Sequence, residues 1–215
     1  MFSLFKKKYN GKIDLSGLGT DMHSHLLPGI DDGSPEPSVS EQLIDGLMDL
    51  GYRQFICSPH VMWDLYKNDQ VSIENALGNL RAHLAAAGKE VPLRAAAEYY
   101  LDEHFSELLE QKQPLRCLKD KWVLIEFSFV NAPINLKETL FDLQLAGYKP
   151  VLAHPERYTY LSNQRNLYAE LKDAGCLFQI NILSLAGYYG KLSQELAQYL
   201  IRNDWVDLVG TDLHH

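Results

Sequence analysis

The chain has 215 residues, 46% hydrophobic and 22% charged, enough apolar material for one α/β domain with a sizeable core and too much for a disordered chain. Its net charge of −8 excludes a nucleic-acid partner, because neutralising phosphates along a duplex needs clustered Lys and Arg. No stretch approaches the ~20 apolar residues of a membrane span, and Cys57, Cys117 and Cys176 are too scattered for a disulfide framework, so a cytoplasmic protein without stable membrane insertion is expected.

Residues 1–19 read as an N-terminal tail, and 20–215 as the folded domain. The only basic run, Lys6-Lys7-Lys8, follows Phe2, Leu4 and Phe5, the reverse of the order in a secretory signal. A strand over 21–26 leads into the turn-rich Pro28-Gly29-Ile30-Asp31-Asp32-Gly33. Ser34 as N-cap and Pro35 at the first helical position open a helix whose apolar stripe, Val39, Leu43, Leu47 and Leu50, stops at Gly51. The same order recurs along the chain. Strands over 54–57, 92–97, 122–125, 150–153, 177–180 and 206–209 alternate with helices over 72–87, 102–109, 135–146, 163–174 and 192–203.

Strands that alternate with helices imply parallel pairing, and closure into a barrel buries every strand edge; a doubly wound open sheet is the alternative. The polar residues favour the barrel. They stand at the C-terminal ends of five or six strands, which converge on one mouth in a (β/α) barrel but spread along an edge in an open sheet.

These strand-end residues are His23, His25, Asp32, His60, Glu98, Glu126, His154, Asp212 and His214. His23 and His25, two apart on a strand, point the same way and can grip one ion. Imidazole and carboxylate without thiolate suit manganese, iron or zinc rather than copper(I) or an iron–sulfur cluster. The set is too large for one ion and would serve two or three, with a carboxylate such as Glu98 as bridge. Each alone has a bland reading, a satisfied core histidine or a solvated acid. Together, uncompensated carboxylates in one mouth would repel, and bound cations remove that cost.

The motif Asp21-Met-His-Ser-His-Leu-Leu-Pro-Gly-Ile-Asp-Asp-Gly33 is followed by Ser58-Pro59-His60, Glu98, Leu124-Ile125-Glu126-Phe127, Ala153-His154-Pro155-Glu156-Arg157-Tyr158 and Gly210-Thr211-Asp212-Leu213-His214. In these motifs and their order the chain resembles the PHP (polymerase and histidinol phosphatase) superfamily and, within it, the CpsB/YwqE-like metal-dependent protein tyrosine phosphatases of bacterial capsule and exopolysaccharide loci. The resemblance implies a distorted (β/α)7 TIM-like barrel, the PHP fold, with a trinuclear site. It assigns His23, His25, Glu98 and Asp212 to one metal, Glu98, Glu126 and His154 to a second, and Asp32, His60 and His214 to a third. It makes manganese the first expectation among the divalent ions, with iron, zinc or magnesium as alternatives. Arg157 matches the family's phosphate-binding arginine, against the alternative of an ion pair with Glu156. The expected catalytic residues are Arg157, His60 and Asp212. The resemblance also implies a further helix and arginine past the last motif, which the sequence to His215 does not contain.

The expected reaction is hydrolysis of protein phosphotyrosine by a metal-activated hydroxide, with no covalent phosphoenzyme. A phenol leaves with a pKa near 10, so phosphotyrosine needs less general-acid help than phosphoserine. Cysteine-based chemistry is excluded by inspection: its Cys-x5-Arg loop needs Arg six residues after the nucleophile, where Cys57, Cys117 and Cys176 have Trp63, Val123 and Ile182. Two readings compete, a phosphatase for a small phosphomonoester such as histidinol phosphate and a metal-bound scaffold without turnover. The resemblance implies a tyrosine autokinase of polysaccharide export as partner. The aromatic runs 63–66, 98–100 and 187–190 follow strands and either rim the mouth or pack loops against the fold.

Overall fold

A computed structural model describes residues 13–215, so the Lys6-Lys7-Lys8 run lies outside the described residues. The apolar runs of the sequence become nine strand segments among those residues: β1 (Thr20–Ser24), β2 (Gln54–Cys57), β3 (His60–Val61), β4 (Leu93–Ala95), β5 (Glu98–Tyr100), β6 (Trp122–Glu126), β7 (Lys149–Ala153), β8 (Leu177–Asn181) and β9 (Leu208–Gly210). Seven α-helices lie between them: α1 (Pro37–Asp49), α2 (Gln70–Ala86), α3 (Glu103–Glu110), α4 (Leu136–Leu145), α5 (Asn166–Asp173), α6 (Ile182–Leu185) and α7 (Lys191–Arg202). None is long and apolar enough to cross a membrane.

All pairings between these strands are parallel, in a three-stranded sheet ordered β1-β2-β4 and a six-stranded sheet ordered β3-β5-β6-β7-β8-β9. The expected strand over 54–57 resumes as β3 after Ser58-Pro59, because proline has no amide hydrogen to continue the ladder. The expected strand over 92–97 breaks at the same level into β4 and β5. Across the break the Ala96 amide still donates to Cys57 O and the Glu98 amide to Pro59 O, so the two sheets meet along one jog. At the far edge the chain beyond β9 runs beside β1. Ser24 and Leu213 form a parallel bridge, Asp212 N donates to His23 O at 2.8 Å, and His25 N donates to Leu213 O at 2.9 Å.

Alternation along the strands sorts side chains into two cores. Phe55, Val123, Ile125, Leu152 and Phe178 face the helices and join Ile44, Leu47, Leu80 and Leu143 in the large one. Met22, Ile56, Ala96, Leu124, Val151 and Leu177 gather in a small cluster on the opposite face. Two residues further along, that second face turns polar: Leu124 is followed by Glu126, and Leu177 by Gln179 and Asn181. An apolar layer at one end of the strands thus supports a polar layer at the other.

Helix entries differ in detail from the expectation. Pro37, not Pro35, takes the first turn of α1; the Ser34 hydroxyl donates to Glu36 O at 3.0 Å and accepts from Ser40 Oγ at 2.8 Å. Helix α2 starts two residues early because Asp69 caps it, accepting from Val71 N and Ser72 N while Ser72 Oγ accepts from Asp69 N. Leu15 N donates to Leu50 O at 2.6 Å, which seats the residues ahead of β1 on the end of α1.

Candidate metal centre

The nine strand-end residues singled out from the sequence as metal ligands gather at the polar layer. His23, His25 and Glu98 are fully buried, and His154, Glu126 and Asp212 are nearly so. Glu98 is the hub: its Oε2 lies 3.2 Å from His23 Nε2, 3.4 Å from His25 Nε2 and 3.3 Å from His60 Nδ1, and its Oε1 lies 3.0 Å from His154 Nε2. Glu126 Oε1 reaches His60 Nδ1 at 3.0 Å. Asp32, half exposed, closes the outer edge at 3.5 Å from His60 and 3.6 Å from His214.

Backbone geometry explains how these side chains are aimed. Met22 belongs to the small apolar cluster, yet its neighbour His23 also reaches Glu98; strict alternation would separate the two, and β1 carries a register shift between Asp21 and Ser24 at this point. Strict alternation after Ala153 would likewise send His154 to the helix side, and a left-handed backbone (φ 34°, ψ 54°) turns it back. Asp212 is also left-handed, with φ 54°. Such conformations cost about 1 kcal/mol in non-glycine residues and gather where a site dictates them. Close packing adds two glycines. A Cβ on Gly33 would sit 2.2 Å from His25 O, and one on Gly210 would sit 2.7 Å from His23 Cβ.

A second ring of residues holds the first, and of these Gln179, Asn181 and Asp31 were missed in the sequence. His23 Nδ1 lies 2.7 Å from Gln179 Oε1. Gln179 Nε2 is committed to Ile180 O and Asn181 Oδ1, so the imidazole donates here and its Nε2 lone pair faces the cluster. His25 Nδ1 lies 2.8 Å from Asp31 Oδ2, which leaves His25 Nε2 facing the same way. Asp31 also accepts from Gly33 N and His60 N, tying the loop after β1 to β3. Asp212 Oδ2 accepts from Asn181 Nδ2 and Arg157 Nη1, both at 2.7 Å, while Oδ1 lies 3.4 Å from His23 Nε2 and from His25 Nε2. Asp21 binds Thr211 through both oxygens and joins β1 to the end of β9. Gln179 and Asn181 were legible in principle, since they continue the inward face of Leu177. Arg157 makes no pair with Glu156, whose buried carboxylate instead accepts from Asn181 N and Ser184 Oγ.

The electrostatics are those of a proton-compensated cluster. Burial works against protonating His23, but Glu98 and Asp212 outweigh it and carry its pKa up to about 9. His25 and His60 are also raised, by Asp212, Asp31 and Glu98 for the first and Glu126 and Glu98 for the second, in each case against burial. Glu98 and Asp212 are held below the carboxylate range, the surrounding imidazolium charge overcoming burial. His214 is lowered, by burial and by His25. Protons and cations compete for these lone pairs.

Among the described residues, ligand atoms that lie within 4.8 Å of one another form three groups: His25, Asp32, His60 and His214; His23, Glu98, His154 and Asp212; and His60, Glu98 and Glu126. The nine residues are those named from the sequence, partitioned differently. His25 sits with the outer group, His154 joins His23 and Asp212, and His60 is shared. The donors fit divalent cations by two observations. They are nitrogen and oxygen only, and buried Glu98 Oε2, His60 Nδ1 and His154 Nδ1 have no aligned hydrogen-bond partner.

Arg157 stands beside this cluster, three-quarters buried, its guanidinium 4.7 Å from the Phe129 ring centroid and 4.4 Å from that of Tyr189. The aromatic runs divide. Tyr189 touches Arg157 and Tyr66 stacks on His60, whereas Tyr99 is core and Trp63 packs on His104.

Comparison with known proteins finds similar chains. A family model described as capsular polysaccharide synthesis, CpsB/CapC, matches residues 19–215. The tyrosine-protein phosphatase YwqE of Bacillus subtilis (strain 168) is 31% identical over 197 residues, covering 91% of this chain and 77% of YwqE. The tyrosine-protein phosphatase CpsB of Streptococcus pneumoniae is 28% identical over 200 residues, covering 91% and 82%. A solved chain from the crystal structures of YwqE from Bacillus subtilis and CpsB from Streptococcus pneumoniae, described as unique metal-dependent tyrosine phosphatases, matches with a TM-score of 0.84 and 30% identity, covering 91% of this chain and 79% of the solved one. By the span of that match, the chain belongs to the CpsB/CapC family of capsular polysaccharide synthesis.

Proposed function

We propose that this chain is a metal-dependent protein tyrosine phosphatase of capsule or exopolysaccharide regulation. One observation carries the reading: nine residues with nitrogen or oxygen donors, from the ends of six strands, meet in one largely buried cluster with a guanidinium at its edge. The cations would be held by His23, His25, Asp32, His60, Glu98, Glu126, His154, Asp212 and His214, two or three of them, manganese first. When bound, they would supply Lewis acidity, lowering the pKa of a coordinated water and drawing charge from the phosphoryl oxygens.

The chain's own residues do the rest. Gln179 and Asp31 fix the two histidines so that both Nε2 atoms face the ligand. Asn181 and Arg157 hold Asp212 Oδ2, which leaves Oδ1 toward the cluster. Arg157 uses one N–H on Asp212, and its other donors take the equatorial phosphoryl oxygens, where charge develops during transfer. A tyrosine phenol leaves without strong proton donation. The chain has no Cys-x5-Arg loop to supply a cysteine nucleophile.

The reading extends to the fold, a distorted (β/α)7 barrel. Support comes from the parallel bridge between Ser24 and Leu213 and from the small cluster that residues of β1, β2, β6, β7 and β8 share. It also includes a cytoplasmic setting and a phosphotyrosine-bearing autokinase of polysaccharide export as substrate. The test is relative kcat/KM on a phosphotyrosine peptide, a phosphoserine peptide and histidinol phosphate, with manganese supplied. Phosphotyrosine is expected to lead; histidinol phosphate ahead by orders of magnitude would replace the proposal with a small-molecule phosphatase.

A further inference from the structure

We infer that Phe129 and Tyr189 are positioning residues that clamp Arg157 flat between two aromatic faces and so set the orientation of its phosphate-binding edge. The inference rests on the assignment of Arg157 to phosphate made above. The two rings come from different loops, Phe129 after β6 and Tyr189 between α6 and α7, and meet on one guanidinium at 4.7 and 4.4 Å from their centroids. Neither loop hydrogen-bonds the guanidinium. Among the described residues its one protein hydrogen bond goes from Nη1 to Asp212 Oδ2 at 2.7 Å. A planar fork anchored at one nitrogen alone could still rotate about that bond and spread its donors over many directions. A ring face laid on the guanidinium from each of two loops restricts that rotation, and the donors not used by Asp212 then leave along the edge.

The clamp explains two further features. Phe129 and Tyr188 are 46% and 72% exposed, more than large aromatics with only a packing role need be. Tyr188 meets Tyr189 edge to face, with centroids 5.0 Å apart at 90°, and backs the clamp from outside. Phe129 also stacks on His154 at 5.7 Å, whereas Tyr189 has no ring contact with the histidines; its hydroxyl interacts with Asn181, and Tyr189→Phe removes that interaction while keeping the ring on Arg157.

The experiment measures inorganic phosphate binding by calorimetry, and kcat/KM on a phosphotyrosine peptide, for manganese-loaded wild type, Tyr189→Ala, Tyr189→Phe, Arg157→Ala and the Tyr189→Ala/Arg157→Ala double variant. Metal content and thermal midpoint are recorded for each, to separate clamping from folding. Tyr189→Ala is expected to weaken phosphate binding and lower kcat/KM about fivefold, the scale of one lost cation–π contact. Tyr189→Phe recovers most of the loss, and the double variant is no worse than Arg157→Ala, because the clamp acts only through the guanidinium. Tyr189→Ala at wild-type level beside a weakened Arg157→Ala overturns the clamp alone, as does a full additive loss in the double variant. Arg157→Ala binding phosphate like wild type overturns the assignment of Arg157 and the clamp with it.

Discussion

His23 shows how much of the centre belongs to single residues. Its Nε2 faces Glu98 and Asp212 only because Gln179 takes the proton on Nδ1. Replacing His23 by Ala removes a donor and should abolish phosphotyrosine hydrolysis while far-UV circular dichroism stays that of wild type. Gln179→Leu keeps the side-chain bulk but frees the ring. Metal affinity, read by titration of the metal-free protein, is expected to fall about 10- to 100-fold, the usual cost of losing such a partner. Unchanged affinity in Gln179→Leu would mean that the ring is held by something else. At this scale the sequence was informative about donors and nearly silent about their partners. His23, Glu126 and Asp212 announce themselves as polar residues ending apolar runs. Asp31 was masked by its neighbour Asp32, and whether either of them faces His25 depends on a turn around Gly33 that only the fold specifies. Gln179 and Asn181 sit in a run that reads as core, and their orientation emerges only when the inward face of β8 is counted from Leu177.

Elements were more legible than their ends. Apolar runs bounded by glycine or proline located seven of the nine strand segments seen among the described residues, missing β3 and β5, because burial against helices imposes that composition on parallel strands. The breaks were not legible: β2 and β3 part at Ser58-Pro59, but β4 and β5 part at Ala96-Ala97 with no proline, following the neighbouring strand. The α2 start was displaced by Asp69, whose capping box with Ser72 outweighs the weaker polar run after it. Asp69→Ala should cost about 1 kcal/mol of stability in denaturant unfolding and leave kcat/KM untouched. The backbone amide of Ser72 holds the Asp69 carboxyl below its ordinary pKa, so the folded state prefers the charged form. That contribution is present above the unfolded pKa and lost as pH falls through the folded one. The gap between wild type and Asp69→Ala should therefore shrink below about pH 4. A gap independent of pH would show that the cap does not depend on its charge.

The molecule as a whole places its titratable chemistry in one polar layer and its thiols elsewhere. Cys57 and Cys176 are buried, and burial pushes both thiols up to about 12; Cys117, half-buried, is raised for the same reason. Iodoacetamide at neutral pH should therefore leave phosphotyrosine hydrolysis intact, since alkylation needs the thiolate. Loss of activity in step with alkylation would point to a cysteine mechanism. The alternation of strand and helix foreshadowed a parallel sheet with strand ends on one side, but the partition of donors around Glu98 depended on the jog between the two sheets and on the left-handed turns at His154 and Asp212. The most direct measurement pairs elemental analysis with hydrolysis of a phosphotyrosine peptide before and after chelation. Two or three divalent ions per chain, activity lost as they are stripped and regained with manganese, is the expected result. Full turnover by protein shown to be metal-free would contradict a cation-binding centre as the seat of catalysis.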